Sequence, residues 1–133
     1  MNVGLIFDTS ALLAHVRLER LSAGELVGEV AENGDLVGVP SLAVLDALPH
    51  LKQDDRGRLE RLVGGESHTI VVLPLTADDV LEVDRVASLI TGGWGAAQAV
   101  MAANRHGVLL ATTAPADLGI GVVIHADDVD VLS

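Results

Sequence analysis

Short apolar runs alternate along this chain with longer segments in which apolar residues recur every three or four positions. The first pattern is typical of buried strands, and the second is typical of the helices that cover them. Strands that alternate with helices favour βαβ units and a parallel sheet. The pattern therefore predicts an α/β fold, with strands at 3–7, 35–39, 68–73, 108–111 and 121–124.

Proline and glycine mark the predicted ends of several helices. A helix that starts at Pro40 is expected to carry Leu45 on its buried apolar face. The glycine pair at 92–93 is expected to end a long helix, and the next helix is expected to cover 96–105 and to stop at Gly107. These signals predict helices between consecutive strands.

Length, charge and cysteine content limit the class of protein. The 133 residues are the size of one ordinary domain, so we expect a single domain over 1–133. No apolar run reaches the roughly 18 residues that cross a bilayer, and the chain starts without a signal-peptide pattern, so we expect a cytoplasmic protein with no membrane partner. The absence of cysteine excludes disulfides, zinc–thiolate sites and thiol chemistry. A net charge of −11 argues against broad nucleic-acid binding, so no DNA partner is evident and any RNA contact is expected to be local.

Polar side chains follow the predicted strands at the edge where an open parallel sheet binds its ligands. Asp8 directly follows the first strand, Ser41 and Asp46 come soon after the second, and Thr112 and Thr113 come just after the fourth. Position alone leaves two interpretations for Asp8. It is either a site carboxylate or a cap for the helix that follows.

A family resemblance is carried by three segments, which read LIFDTSALL at 5–13, VPSLAVLDA at 39–47, and AAQAVMAANRHGVLLATTAPADL at 96–118. Together they resemble the PIN-domain family, the metal-dependent ribonuclease fold found in many bacterial toxins of toxin–antitoxin pairs. In that comparison, Asp8 occupies the position of the family's first acid, and Asp46 occupies the position of a glutamate. Ala96 and Ala114 stand where the family has aspartates, so two of the usual four acids are absent.

The resemblance implies a three-layer α/β/α sandwich with a mainly parallel sheet of about five strands. It also implies a homodimer, RNA as a substrate or ligand, and an antitoxin-like protein partner. The metal and catalytic positions it implies are Asp8 and Asp46, with supporting positions at Thr9, Ser10, Thr112 and Asp117. For Asp117, a solvated turn or helix-cap aspartate is the competing interpretation.

The missing acids have a chemical consequence. Phosphodiester cleavage by a metal needs Mg²⁺ or Mn²⁺ to polarise the phosphoryl group and to activate a water molecule. Mg²⁺ prefers an octahedron of oxygen ligands, and an alanine methyl neither binds the ion nor orients a bound water. With two carboxylates left, we expect the metal to be weakly held or absent.

Two functional hypotheses follow. In the first, the chain is a PIN-like protein with a degraded acidic site that acts by binding RNA or a protein, with weak catalysis or none. In the second, it is an active Mg²⁺-dependent endoribonuclease, such as a toxin of a toxin–antitoxin pair. The second includes the case in which Ala96 and Ala114 are engineered replacements of aspartates.

Two charged clusters have local interpretations. Lys52, Arg56, Arg58 and Arg61 are half of all Lys and Arg, and they form the best local candidate for an RNA or partner contact. The competing interpretation is a solvated helix with ion pairs Asp54–Arg58 and Arg56–Glu60. The acidic residues at 127–130 are expected to form a flexible, solubilising tail.

Overall fold

Five short strands form one sheet in a computed structural model that describes residues 2–133. Every pairing is parallel, and the order across the sheet is β3-β2-β1-β4-β5. The strands are β1 (Val3–Phe7), β2 (Leu36–Pro40), β3 (Ile70–Leu73), β4 (Leu109–Thr112) and β5 (Val129–Val131). The first strand is therefore central, which explains its run of fully buried apolar side chains.

Helices cover both faces of this sheet. Within the described residues, the α-helices are α1 (Thr9–Val16), α2 (Leu21–Glu32), α3 (Ser41–Ala47), α4 (Gln53–Arg61), α5 (Val80–Ala87) and α6 (Gly93–His106). Side chains alternate along β1, so Leu5 and Phe7 pack in one core with α1, α2 and α4, whereas Ile6 packs in a second core with α5 and α6. The predicted fold class, a three-layer α/β/α sandwich with a parallel sheet of five strands, is confirmed.

The last strand lies in a different place from the one predicted. The segment 121–124 forms a turn, with Gly119 and Gly121 in the left-handed region at φ of 63° and 86°. The fifth strand comes instead from the acidic C-terminal segment, where Asp130 lies opposite Ala111 of β4. The prediction of a flexible tail is wrong because Val129 and Leu132 pack into the two cores on either side of that strand.

Two helix predictions also need correction. α5 ends at Ala87, and the glycines at 92–93 begin α6 rather than end the helix before it. On α3, Leu45 is 60% exposed, and the smaller Ala43 and Ala47 are buried in its place. Gly107 does end α6, in the left-handed conformation at φ 65°.

No helix in the described part of the chain is long and apolar enough to cross a membrane.

Close packing of α3 on α6 depends on Gly95. A Cβ atom added there would lie 3.1 Å from the Cα of Ala43, 2.5 Å from Oδ2 of Asp46 and 2.6 Å from Oγ1 of Thr9. The first of these neighbours is backbone and cannot rotate away. The approach of the two helices therefore requires a residue without a side chain.

We expect Gly95→Ala to destabilise the fold by about 1–3 kcal/mol, the usual cost of overpacking a filled interior. Gly28→Ala is the matched control, because Gly28 lies inside α2 with no atom within 4 Å of the added Cβ. The free energy of unfolding of that control is expected to rise by about 0.5–1 kcal/mol. Urea unfolding measures both changes, and equal effects at the two positions would contradict the role given to Gly95.

Candidate functional site

The carboxylate of Asp8 lies at the end of β1 and is almost fully buried, with 3% of the residue exposed. Its Oδ1 accepts hydrogen bonds from the Ser10 hydroxyl at 2.7 Å and from the backbone N–H of Ala11 at 2.9 Å. Its Oδ2 accepts from the hydroxyl of Thr112, at the end of β4, at 2.6 Å. Asp8 is thus the N-cap of α1 and also a tie between two neighbouring strand ends.

The two hydroxyls are themselves held in place. Ser10 Oγ accepts from the N–H of Thr113 at 2.9 Å, and Thr112 Oγ1 accepts from the N–H of Ala114 at 3.0 Å. Each hydroxyl has one proton, and both protons are directed at Asp8. The arrangement fits a carboxylate that only accepts hydrogen bonds.

Burial raises the pKa of Asp8 above its ordinary value of 3.8, because an ionised carboxylate is costly to remove from water. The hydrogen bonds from Thr112, Ala11 and Ser10 act in the opposite direction and offset part of that effect.

Asp46 lies on the exposed side of α3 and also serves as a cap. Its Oδ2 accepts from the backbone N–H of Gly95 in the first turn of α6, at 2.9 Å. A negative charge at a helix N-terminus is stabilising because it satisfies a free N–H and faces the positive end of the helix dipole. The carboxylate therefore joins α3 to α6.

Gln98, on α6, binds the first turn of α3, as Asp46 on α3 binds the first turn of α6. This role was not predicted from the sequence. It is 1% exposed on α6, and its Oε1 accepts from the N–H of Leu42 in the first turn of α3, at 2.9 Å. Its Nε2 donates to the carbonyl of Leu73 at the end of β3, at 3.4 Å. An amide side chain with small apolar residues on both sides was the available signal for a buried hydrogen-bonding role.

A cleft of about 540 Å³ lies at this edge of the sheet. It brings together four of the predicted site residues, Thr9, Ser10, Asp46 and Asp117. The other lining residues are Leu13, Arg17, Leu45, Pro49, His50 and Gly92. Asp8 and Thr112 do not line it, and they are buried behind Ser10.

The other residues singled out in the sequence are described by their hydrogen bonds and burial. Asp117 Oδ1 accepts from the Thr91 hydroxyl at 3.4 Å, and its carbonyl accepts from the N–H of Gly92 at 3.1 Å. Thr9 Oγ1 is buried and has no hydrogen-bond partner within residues 2–133. Ala96 lies on α6 and is 5% exposed, because it packs into the second core. Ala114 is half-buried and lies just after β4.

This donor set does not fit a magnesium site. A carboxylate offers about four lone-pair positions, and three of those on Asp8 already accept hydrogen bonds. Within the described residues, no group of three or more His, Asp or Glu side chains is placed to hold one metal ion. Direct metal binding at Asp8 without loss of a hydrogen bond is limited to the one remaining lone-pair position, on Oδ2.

Neither a scan against protein-family models nor a search of curated proteins gives a match to this chain. The resemblance to the PIN-domain family stays a prediction that rests on the residue pattern.

The network around Asp8 makes a prediction for two substitutions. Asp8→Ala removes the cap and leaves the N–H of Ala11 and two hydroxyls without their acceptor, so we expect a loss of about 2–4 kcal/mol in the free energy of unfolding. Asp8→Asn keeps one acceptor oxygen, and the Thr112 proton can turn toward Ser10, which lies at 3.1 Å. We expect this variant to lose much less stability than Asp8→Ala.

The raised pKa also sets the direction of a pH effect. The native state binds the Asp8 proton more tightly than the unfolded state, so this group's contribution is complete below pH 3.8 and is lost as pH rises through the native pKa. The stability of the unmodified protein relative to Asp8→Asn is therefore expected to fall from acid to neutral pH. Urea unfolding of both proteins over that pH range measures this stability difference. A difference that stays constant or rises with pH would contradict a raised pKa for Asp8.

Proposed function

We propose that this chain is a PIN-like protein whose acidic site no longer supports efficient ribonuclease chemistry, and that it acts by binding a macromolecular partner. A protein partner of the antitoxin kind is favoured over RNA, because a chain with a net charge of −11 repels a phosphate backbone. The proposal places the molecule in a cytoplasmic setting.

One observation carries the proposal, namely that the acids left at the predicted site serve as helix caps. Asp8 caps α1 and binds Thr112, and Asp46 caps α6 through Gly95. A ribonuclease of this kind needs carboxylates that are free to bind and orient Mg²⁺ or Mn²⁺. Alanines stand at the two positions where the family pattern would place further acids.

An exposed apolar surface supports the homodimer that the family resemblance implies. Leu81 and Trp94 are 81% and 62% exposed beside a groove of about 270 Å³ between α5 and α6. The groove continues over Val80, Leu75 and Leu42. Contiguous apolar side chains of this size on a surface are typical of protein–protein contacts.

We expect Leu81→Asp to convert a dimer into a monomer, because it places a charge in the proposed interface without disturbing a buried side chain. Light scattering coupled to size-exclusion chromatography measures the mass of each form. Leu21→Asp is the matched control, since Leu21 is equally exposed but lies on α2. A monomeric unmodified protein would remove the dimer from the proposal.

The catalytic question is tested with single-stranded RNA in the presence of Mg²⁺ or Mn²⁺. We expect no cleavage beyond that seen with a chelator. Asp46→Asn is the sharpest variant, because its remaining oxygen can still accept from Gly95 while the charge is lost. Cleavage that the unmodified protein performs and that Asp46→Asn loses, with unchanged thermal stability, would establish the active ribonuclease instead.

The double variant Ala96→Asp and Ala114→Asp tests the origin of the site. Cleavage by this variant alone would support a nuclease scaffold from which the chemistry was removed, whether naturally or by engineering. Circular dichroism must accompany the assay because Ala96 is buried. A folded double variant with neither cleavage nor Mn²⁺ affinity would count against the PIN-like assignment.

A further inference from the structure

Positive charge in this acidic protein is concentrated on one part of the surface. Of its eight Lys and Arg residues, six lie just after α1 or on and next to α4. They are Arg17, Arg20, Lys52, Arg56, Arg58 and Arg61. The guanidinium of Arg58 joins the two regions, because its Nε donates to the carbonyl of Val16 at 2.9 Å.

Part of this charge is neutralised within α4. Arg56 pairs with Glu60 at 3.6 Å, as predicted, and Arg58 pairs with Asp55 rather than with the predicted Asp54. Arg61 is exposed and forms no ion pair with any of residues 2–133. It is therefore available to an anionic group from outside the chain.

A cleft of about 340 Å³ lies between the end of α1 and the end of α4, and Arg61 forms part of its wall. The surface inside is mainly apolar, and its apolar lining residues are Leu18, Leu62 and the almost fully buried Val16. The polar lining residues are His15, Arg58, Glu66 and Ser67. An apolar cleft beside an unpaired cation suits a ligand that has both apolar groups and an anion.

The rim of the cleft contains the one non-glycine residue with positive φ among residues 2–133. Leu18 has φ of 58° and is 73% exposed. It follows the C-cap of α1, where the N–H of Leu18 bonds to the carbonyl of His15 and the N–H of Glu19 bonds to that of Ala14. Glycine is the usual residue at such a position, because L side chains are strained there.

Leu18 gains little burial in return for that strain. Leu21, three residues on, is 86% exposed as well. Backbone strain of this kind is found preferentially at sites of binding or catalysis. The fold alone does not account for a large apolar side chain held in water by strained backbone.

We propose that this cleft binds a protein segment that carries a carboxylate beside apolar side chains. The carboxylate pairs with Arg61, and the apolar side chains pack against Leu18 and Leu62. RNA suits the cleft less well, because the surface inside it is mainly apolar. The inference rests on the binding role proposed above and names the chemistry of the partner.

The probe is a displayed library of random peptides selected against the intact protein, followed by synthesis of the enriched sequences. We expect enriched peptides to combine Asp or Glu with Leu, Ile or Phe, and we expect Arg61→Glu to weaken their binding by about tenfold or more. Arg85→Glu is the matched control, because this exposed arginine lies on α5, on the opposite face of the sheet, and it should leave binding unchanged.

Leu18→Gly gives a second, independent readout. It removes the apolar rim and relieves the backbone strain, so it is expected to weaken peptide binding several-fold while raising the urea midpoint of unfolding. A purely structural role for Leu18 would not link weaker binding to higher stability.

Three outcomes would overturn the inference. In the first, the selection enriches no peptide. In the second, the enriched peptides bind the Arg61→Glu and Leu18→Gly variants as tightly as the unmodified protein. In the third, a single-stranded RNA oligomer binds this cleft in place of a peptide. Both substituted residues lie outside the cleft lined by Asp46 and Asp117, so these outcomes are separate from those of the cleavage assay. Failure here leaves the proposal of a degraded nuclease site to be decided by that assay.

Discussion

The carboxylate of Asp8 is the interaction on which this edge of the molecule depends. It accepts one hydrogen bond from the start of α1, one from Ser10 and one from Thr112, so it joins the central strand to the helix that follows it and to the neighbouring strand β4. Burial makes its charge costly, and the three donors offset part of that cost. The network behind Ser10 is thus a structural connection between α1, β1 and β4, and its geometry follows from hydrogen bonds made within the chain.

A second pair of polar contacts holds α3 and α6 together. Asp46 on α3 caps α6 at Gly95, and Gln98 on α6 caps α3 at Leu42. Gly95 permits this exchange, because any side chain there would meet the backbone of α3. Carboxylates at the edge of a parallel sheet serve metal chemistry in some proteins and helix capping in others. Here Oδ1 of Asp8 and Oδ2 of Asp46 are engaged in capping.

The surface separates into regions of different chemistry. The cleft lined by Asp46 and Asp117 lies at the carboxyl edge of the sheet, while Arg61 and the strained Leu18 border an apolar cleft between α1 and α4. The apolar groove beside Trp94 lies near the start of α6, close to α5. The three regions thus differ in their lining, and Arg61 places a positive charge at one of them on a chain with a net charge of −11.

Local patterns in the sequence determined the α/β class, the bounds of β1, the position of Asp8 at its end and the stop of α6 at Gly107, because hydrophobic period and turn chemistry act over a few residues. Only the tertiary structure decided which side chains meet. The Thr112 hydroxyl donates to Asp8 from 104 positions along the chain, and Asp46 accepts from the N–H of Gly95. Leu45 is exposed beside buried alanines. The acidic segment at 127–130 contributes to β5 because Val129 and Leu132 pack into the two cores. These outcomes depend on contacts between distant segments, for which a single sequence contains no local signal.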